Sequence, residues 1–168
     1  MELTDILPLD QWKALEKEIN ERSGLDVNVF NPSGYRITDF KVWANKLCPA
    51  IKDMDKGQSF ICAVAHMNVS AMARNTAKPV IEECDAGLMK LVVPIFVNEE
   101  FIGAIGACGH VLDDGEADEF LINKITDIPE ETISGLGKTV PRIPTEKAEA
   151  LVEYIKMKLE GILSPAGK

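Results

Sequence analysis

No apolar run in the chain approaches the roughly 20 residues that a helix needs to cross a bilayer. The opening Met1-Glu-Leu-Thr-Asp5 is acidic where a secretion signal is basic and then apolar. Basic residues are in deficit: 18 Lys and Arg stand against 27 Asp and Glu, for a net charge of −9 and a pI near 4.8. That balance argues against direct binding to DNA or RNA, which needs a basic footprint, and against docking on an anionic membrane. Histidine occurs only twice, as His66 and His110. There is no H-E-x-x-H, no glycine-rich phosphate loop ending in Lys-Ser/Thr and no G-x-S-x-G elbow. None of the four cysteines is spaced as C-x-x-C, so the strong sequence signals for zinc or for a thioredoxin-type dithiol are missing. The expectation is a cytoplasmic protein with cysteines as thiols, metal ligands or redox groups, since a disulfide-stapled secreted domain is smaller and poorer in core.

What is present suits one domain spanning 1–168. The chain has 168 residues, 46% hydrophobic and 27% charged, enough to bury a core of its own. Leu9 to Ser23 reads as an amphipathic helix, with Trp12, Leu15 and Ile19 on one stripe, Asp10 as N-cap and Gly24 as stop. Asp26 to Phe30 alternates as a strand. The turn Asn31-Pro-Ser-Gly34 then leads to a second strand at Tyr35 to Phe40. Val27, Val29 and Ile37 are expected to point inward, with Asp26 and Asn28 facing out. A helix is expected over Lys41–Met54 and a break at Lys56–Ser59. A helix apolar nearly all round follows, Phe60–Asn75, which must pack on a sheet.

The stretch from Pro79 to Val111 holds three further strands: Pro79–Asp85, Leu88–Val97 after a turn at Ala86-Gly87, and Phe101–Leu112 after a hairpin at Asn98–Glu100. The last is rich in glycine (Gly103, Gly106, Gly109), which marks bulges or close approach. Helices are expected near Glu116–Ile125 and Pro129–Leu136. A final long helix, capped by Thr145, carries Ala148, Leu151, Ile155, Leu159 and Ile162 as its stripe, and the Pro165–Lys168 tail is expected to fray. The order points to an α+β fold: a PAS-like antiparallel sheet of about five strands, helices on one side and a long C-terminal helix.

Cys62 and His66, four apart on one helix, project to the same face. Cys48 precedes them, and Cys84 and Cys108 lie on strands that these helices would cover, so a tetrahedral site of Cys48, Cys62, Cys84 and Cys108 is geometrically open. Cysteines that are simply core residues fit the same spacing. His110 ends a strand, where ligand contacts are common. Asp85 and Glu83 share one face of their strand.

The run Glu83-Cys84-Asp85-Ala86-Gly87-Leu88, then Val93-Pro94-Ile95, then Phe101-Ile102-Gly103-Ala104-Ile105, resembles the PocR sensory domain family. Leu3–Leu7, Ser23-Gly24-Leu25, Asn31–Gly34, Leu47-Cys48 and Phe60-Ile61-Cys62 fit the same pattern, so the resemblance covers about 3–112, with 113–168 as a helical extension. Asp85 stands where histidine is common in the family, and Gly106-Ala-Cys108-Gly-His110 departs from the usual ending. The resemblance implies a PAS-like module of prokaryotic signal transduction that recognises a small organic molecule. No output domain follows in this sequence, which reads as a stand-alone or an excised sensor.

The expected function is therefore a non-enzymatic cytoplasmic sensor. His66, Cys84, Asp85 and His110 are its candidate ligand contacts, and Cys48, Cys62, Cys84 and Cys108 its candidate metal ligands. The cofactor stays open between zinc and an iron–sulfur cluster, with haem the less favoured choice. Binding would shift the helices on the sheet, and the C-terminal helix would signal to a partner protein or form a homodimer seam. Two alternatives stand beside it: an enzyme using Cys108 near His110 on a small organic substrate, and a structural interaction module with core cysteines.

Overall fold

A computed structural model of the chain describes residues 1–164; the expected fraying at Pro165–Lys168 lies outside them. A short helix α1 (Leu3–Ile6) leads to α2 (Leu9–Ser23). Trp12, Leu15 and Ile19 of α2 are buried at helical spacing, and Gly24 closes the helix by donating its N–H to the Asn20 carbonyl at 2.7 Å. Pro8 occupies the N-cap, so Asp10, expected there, sits in the first turn, where its charge still suits the helix dipole.

The sheet contains β1 (Asp26–Phe30), β2 (Val80–Glu83), β3 (Met89–Val97) and β4 (Glu100–Leu112) in the order β1-β4-β3-β2, antiparallel throughout. Asn98 and Glu99 turn the β3–β4 hairpin with φ of 49° and 69°, as a tight two-residue loop requires. A two-residue β5 (Arg142–Ile143) runs parallel to the end of β4 at Val111 and Leu112.

The strand expected at Tyr35–Phe40 shrinks to one bridge, Phe30 with Arg36. Side chains, not a ladder, hold this segment. Asn31 Oδ1 accepts from the amides of Ser33 and Tyr35, each at 3.0 Å; the Thr38 hydroxyl donates to Glu16; and Asn28 Nδ2 donates to the Phe40 carbonyl at 3.0 Å.

Helices cover both faces of the sheet, not one. Val27, Val29, Leu91, Val93, Ile95 and Ile105 meet α2 and the long α8 (Thr145–Leu163), whose Ala148, Leu151, Ile155 and Leu159 are buried. The stripe considered for a homodimer seam is thus buried against the protein's own sheet. Thr145 is the first residue of α8 and not its cap. The Asp113 carboxylate supplies that function by accepting the Thr145 amide at 2.8 Å.

The second face lies under α5 (Ala63–Thr76), where Val69 and Ala73 pack on Val92 and Ala104. Before α5 come α3 (Leu47–Lys52), α4 (Asp55–Gly57) and a π-turn at Gln58–Cys62. The expected Lys41–Met54 helix is therefore shorter. Its first residues are drawn out of helical form by polar anchors: Lys41 on Asp26, and Asn45 on the Gly109 carbonyl at 2.7 Å.

The expected break at Lys56–Ser59 is absent, and the chain stays helical from Asp55 to Thr76. Gly57 serves a close crossing instead: a Cβ there would lie 2.1 Å from the Ile51 carbonyl oxygen. Helices α6 (Glu119–Thr126) and α7 (Glu130–Gly137) follow within a few residues of their expected bounds, and Asp118 caps α6 through the Leu121 amide at 3.0 Å. They close a second core with Leu47, Ile51, Ile61, Leu88 and Val111. Among the described residues no helix is long and apolar enough to cross a membrane.

Candidate ligand-binding site

Antiparallel register sets which side chains share the second face. Asp26 pairs with Cys108, and Cys108 with Lys90, so these three form a row across β1, β4 and β3; Asn28 and Gly106 form the next pair. The face is polar and yet buried: Asp26 is 6% exposed, Asn28 4% and Lys90 8%. Buried charges need partners, because burial removes their hydration. Asp26 has one: Lys41 bonds its Oδ2, while Oδ1 stays buried without a partner. Among the described residues Lys90 makes no ion pair, although Glu82 stands opposite it on β2. Its ammonium lies 5.9 Å from the Phe30 ring.

The Phe30 ring in turn meets the His66 ring of α5, centroids 3.9 Å apart. His66 Nδ1 is buried without a hydrogen-bond partner. Burial, and then the positive charges of Lys90, Arg36 and Lys52, hold the imidazole neutral, with a pKa of about 3. Lys52 is held below its ordinary value, first by burial and then by repulsion from Arg36 and Lys41. Lys41 and Lys52 flank Trp43, at 3.9 and 5.9 Å from its ring. Trp43 and Lys52, with Lys46, Pro49, Ala50 and Asp53, line an open hollow of about 540 Å³. The hollow is open to solvent, and Asp26, Asn28, Lys90 and His66 do not line it.

The thiols gather on the same side of the sheet. Cys48, Cys62 and Cys84 pack against the second core. Burial pushes the Cys48 thiol up to about 12, and Cys108, Cys84 and Cys62 push it the same way, against a hydrogen bond from Asn45. Burial raises Cys84 to about 11, and Cys62 is raised as well, with Lys52 opposing. All four cysteines are free. Among the described residues no three His, Cys, Asp or Glu side chains form a group that could hold a metal ion. The four sulfurs named as ligands are neighbours, but as they stand the cysteines are free and no common metal site forms among them.

The other expected contacts are scattered. Asp85 sits exposed in the β2–β3 turn, where the Gly87 amide donates to the Cys84 carbonyl at 2.9 Å. His110 is divided from Cys108 by a bulge. Register shifts between Met89 and Lys90, so His110 pairs with Met89 and lies by Gly24 at the end of α2. Gly109 makes this possible with a φ of 109°, and a Cβ there would press to 2.6 Å on that of Ala44. The Cys108–His110 pair considered for catalysis therefore does not assemble. His110 is held below its ordinary value by burial, partly offset by the Gly24 backbone.

Sequence reasoning missed Lys90, Asp26, Asn28, Lys41, Lys52 and Trp43. Two signals were available. Lys90 is the single charge inside the apolar run Leu88–Val97, and an all-apolar helix at Phe60–Asn75 requires a covered sheet face beneath it.

Searches of curated proteins and of solved structures find no match. A family model described as the sensory domain found in PocR matches residues 5–165, so the span includes α6 to α8 as well as the sheet. A match over nearly its whole length identifies the chain as a member of the PocR sensory domain family.

Proposed function

We propose that this sensory domain binds a small organic molecule between the polar face of its sheet and the α3–α5 layer, and that it works in the cytoplasm. The observation that carries the reading is a set of buried hydrogen-bonding groups left without partners, Asp26 Oδ1 and His66 Nδ1. Such groups are rare in a folded interior and cost about 1–3 kcal/mol each. A ligand that satisfies them recovers that cost. The π-turn adds to the argument, since inserted turns of this kind concentrate at functional sites.

The signal would travel along β4. The middle of the strand carries Gly106 and Cys108 in the site; its C-terminal end, a few residues on, pairs with β5 and, through Asp113, holds the start of α8. A ligand that favours one packing of α5 shifts that equilibrium only by its difference in affinity for the two states. Helix α8 is then the element presented to a partner. The test is a thermal-melt panel of diols, alcohols, amides and carboxylates on the full chain. A saturable rise in Tm with at least one class is expected, and no response to any class overturns the reading.

A second reading makes Cys48, Cys62, Cys84 and Cys108 the ligands of zinc or an iron–sulfur cluster; the thiols are near enough to raise one another's pKa but would have to move to reach a common metal. Binding would have to displace protons that burial holds on at least three of them. Metal analysis with an anaerobic thiol titration tests it. Four freely titrating thiols and no metal remove it.

A further inference from the structure

We propose that the ligand of this site is a small organic anion, a carboxylate with an apolar body, drawn in by Lys52 beside Trp43 and held by Lys90 on the covered sheet face. The inference rests on the sensory reading above and specifies its ligand class: a carboxylate accepts from Lys90 and from an N–H at His66 Nδ1, whereas Asp26 Oδ1, itself an acceptor, is not satisfied by it. The chain carries nine more negative than positive charges, so its cations have carboxylates to choose from. Lys13, Lys17, Lys41, Lys156 and Lys158 each find one. Among the described residues the other twelve cations do not, Lys90, Lys52 and Arg36 among them. These three are the ones whose charges bear on His66, and Lys52, Lys90 and Lys41 also bear on Cys62.

Lys90 is the telling case. The residue is 8% exposed in the middle of a sheet, and among the described residues it makes no ion pair, so a bound anion would supply the partner it lacks. Two carboxylates near it in the sheet form no ion pair with it. Asp26 lies two strands away and is engaged by Lys41, and Glu82 is exposed on the edge strand without pairing. Asp53, at the hollow's rim, is exposed as well. A cationic pocket inside an acidic protein also focuses its field on incoming anions. The apolar body has a surface to meet in Trp43, 40% exposed at the hollow.

Benzoate, with benzamide as its neutral isostere and sodium chloride as the ionic-strength control, is the probe. Millimolar benzoate should raise the Tm of the full chain, while benzamide and chloride should not. Lys90→Met should melt higher than wild type without ligand, because it replaces an unpaired cation on the covered sheet face by an apolar side chain, and should lose the benzoate response. Lys52→Met, on a half-buried helix position, should weaken benzoate about 10-fold or more and serves if Lys90→Met does not fold. Equal stabilisation by benzamide and benzoate would overturn the anion inference while leaving the sensory reading in place. So would a full benzoate response in both variants. No response to benzoate also overturns it, and silence across the wider panel takes the sensory reading with it.

Discussion

Lys41 bonds one oxygen of the Asp26 carboxylate, Oδ2, and leaves the other buried and unpartnered. The pair therefore neutralises one cation of the pocket at the expense of an unsatisfied acceptor. Asp26→Asn keeps the shape and frees the Lys41 charge. We expect folding stability within about 1–2 kcal/mol of wild type, since loss of a pair and relief of a buried charge oppose each other. Benzoate should bind about 3–10-fold tighter, the scale of removing one nearby negative charge at an intermediate dielectric. Melting curves with a benzoate titration check both, and weaker benzoate binding would mean that Asp26 helps to hold the ligand.

Gly57→Ala tests the roof of the site. In an ordinary helix alanine is favoured over glycine by about 1 kcal/mol. Here the new methyl would sit 2.1 Å from the Ile51 carbonyl oxygen and 2.9 Å from its carbon, so backbone must move. The sign should reverse, with a loss of about 3 kcal/mol or more in urea unfolding and a blunted ligand response. A variant as stable as wild type would show that α3 and α4 separate easily.

Most of the architecture was legible in the chain because it follows local periodicity. Trp12, Leu15 and Ile19 announce α2, and the apolar run through Ile95 announces β3. The errors fall where a polar side chain replaces a backbone ladder or where distant segments meet. Alternation at Asp26–Phe30 gives two faces but not which elements cover them; Asp26 and Asn28 were assigned to solvent because the helix that covers them comes some thirty residues later. Gly57 has the composition of a stop, and only the nearness of Ile51 turns it into a crossing. The bulge at Gly109, which parts Cys108 from His110, depends on the register of β3. Of the candidate site, the sequence offers the thiols and His66 as candidates but not the lysines beside them.

Glu16 joins α2 to β1 and to the chain beyond it, accepting the Val29 amide at 2.7 Å and the Thr38 hydroxyl. Burial raises its pKa, against those two hydrogen bonds. The folded state therefore holds the Glu16 proton more tightly than the unfolded one. Stability tied to this group is full below the ordinary carboxylate value and is lost as pH rises through the raised one. Comparing urea midpoints of wild type and Glu16→Gln from pH 4 to 7, the difference should move in favour of the glutamine variant. Glu16→Ala should cost about 2–4 kcal/mol at any of these pH values, because it strands a buried amide. A pH-independent difference between wild type and glutamine would place the charge in water.

His66 should show the opposite dependence. Its pKa of about 3, set by burial and then by Lys90, Arg36 and Lys52, lies below the ordinary imidazole value. The unfolded chain takes up this proton near pH 6.5 while the folded one resists, so stability tied to His66 is full above that value and falls as pH drops toward 3. His66→Phe keeps a ring on Phe30, removes the unpartnered Nδ1 and cannot titrate. Its acid unfolding should begin at lower pH than that of wild type, by an amount worth a few kcal/mol at about pH 4. Benzoate adds a second arm. An anion beside Lys90 screens the charges that hold the imidazole neutral, so bound wild type should resist acid better than free wild type while the phenylalanine variant gains less. Imidazole proton shifts followed through a pH titration, with and without benzoate, read the His66 pKa directly. An upward move on benzoate addition ties the imidazole to the same pocket as the lysines, and an unmoved His66 would place the anion elsewhere.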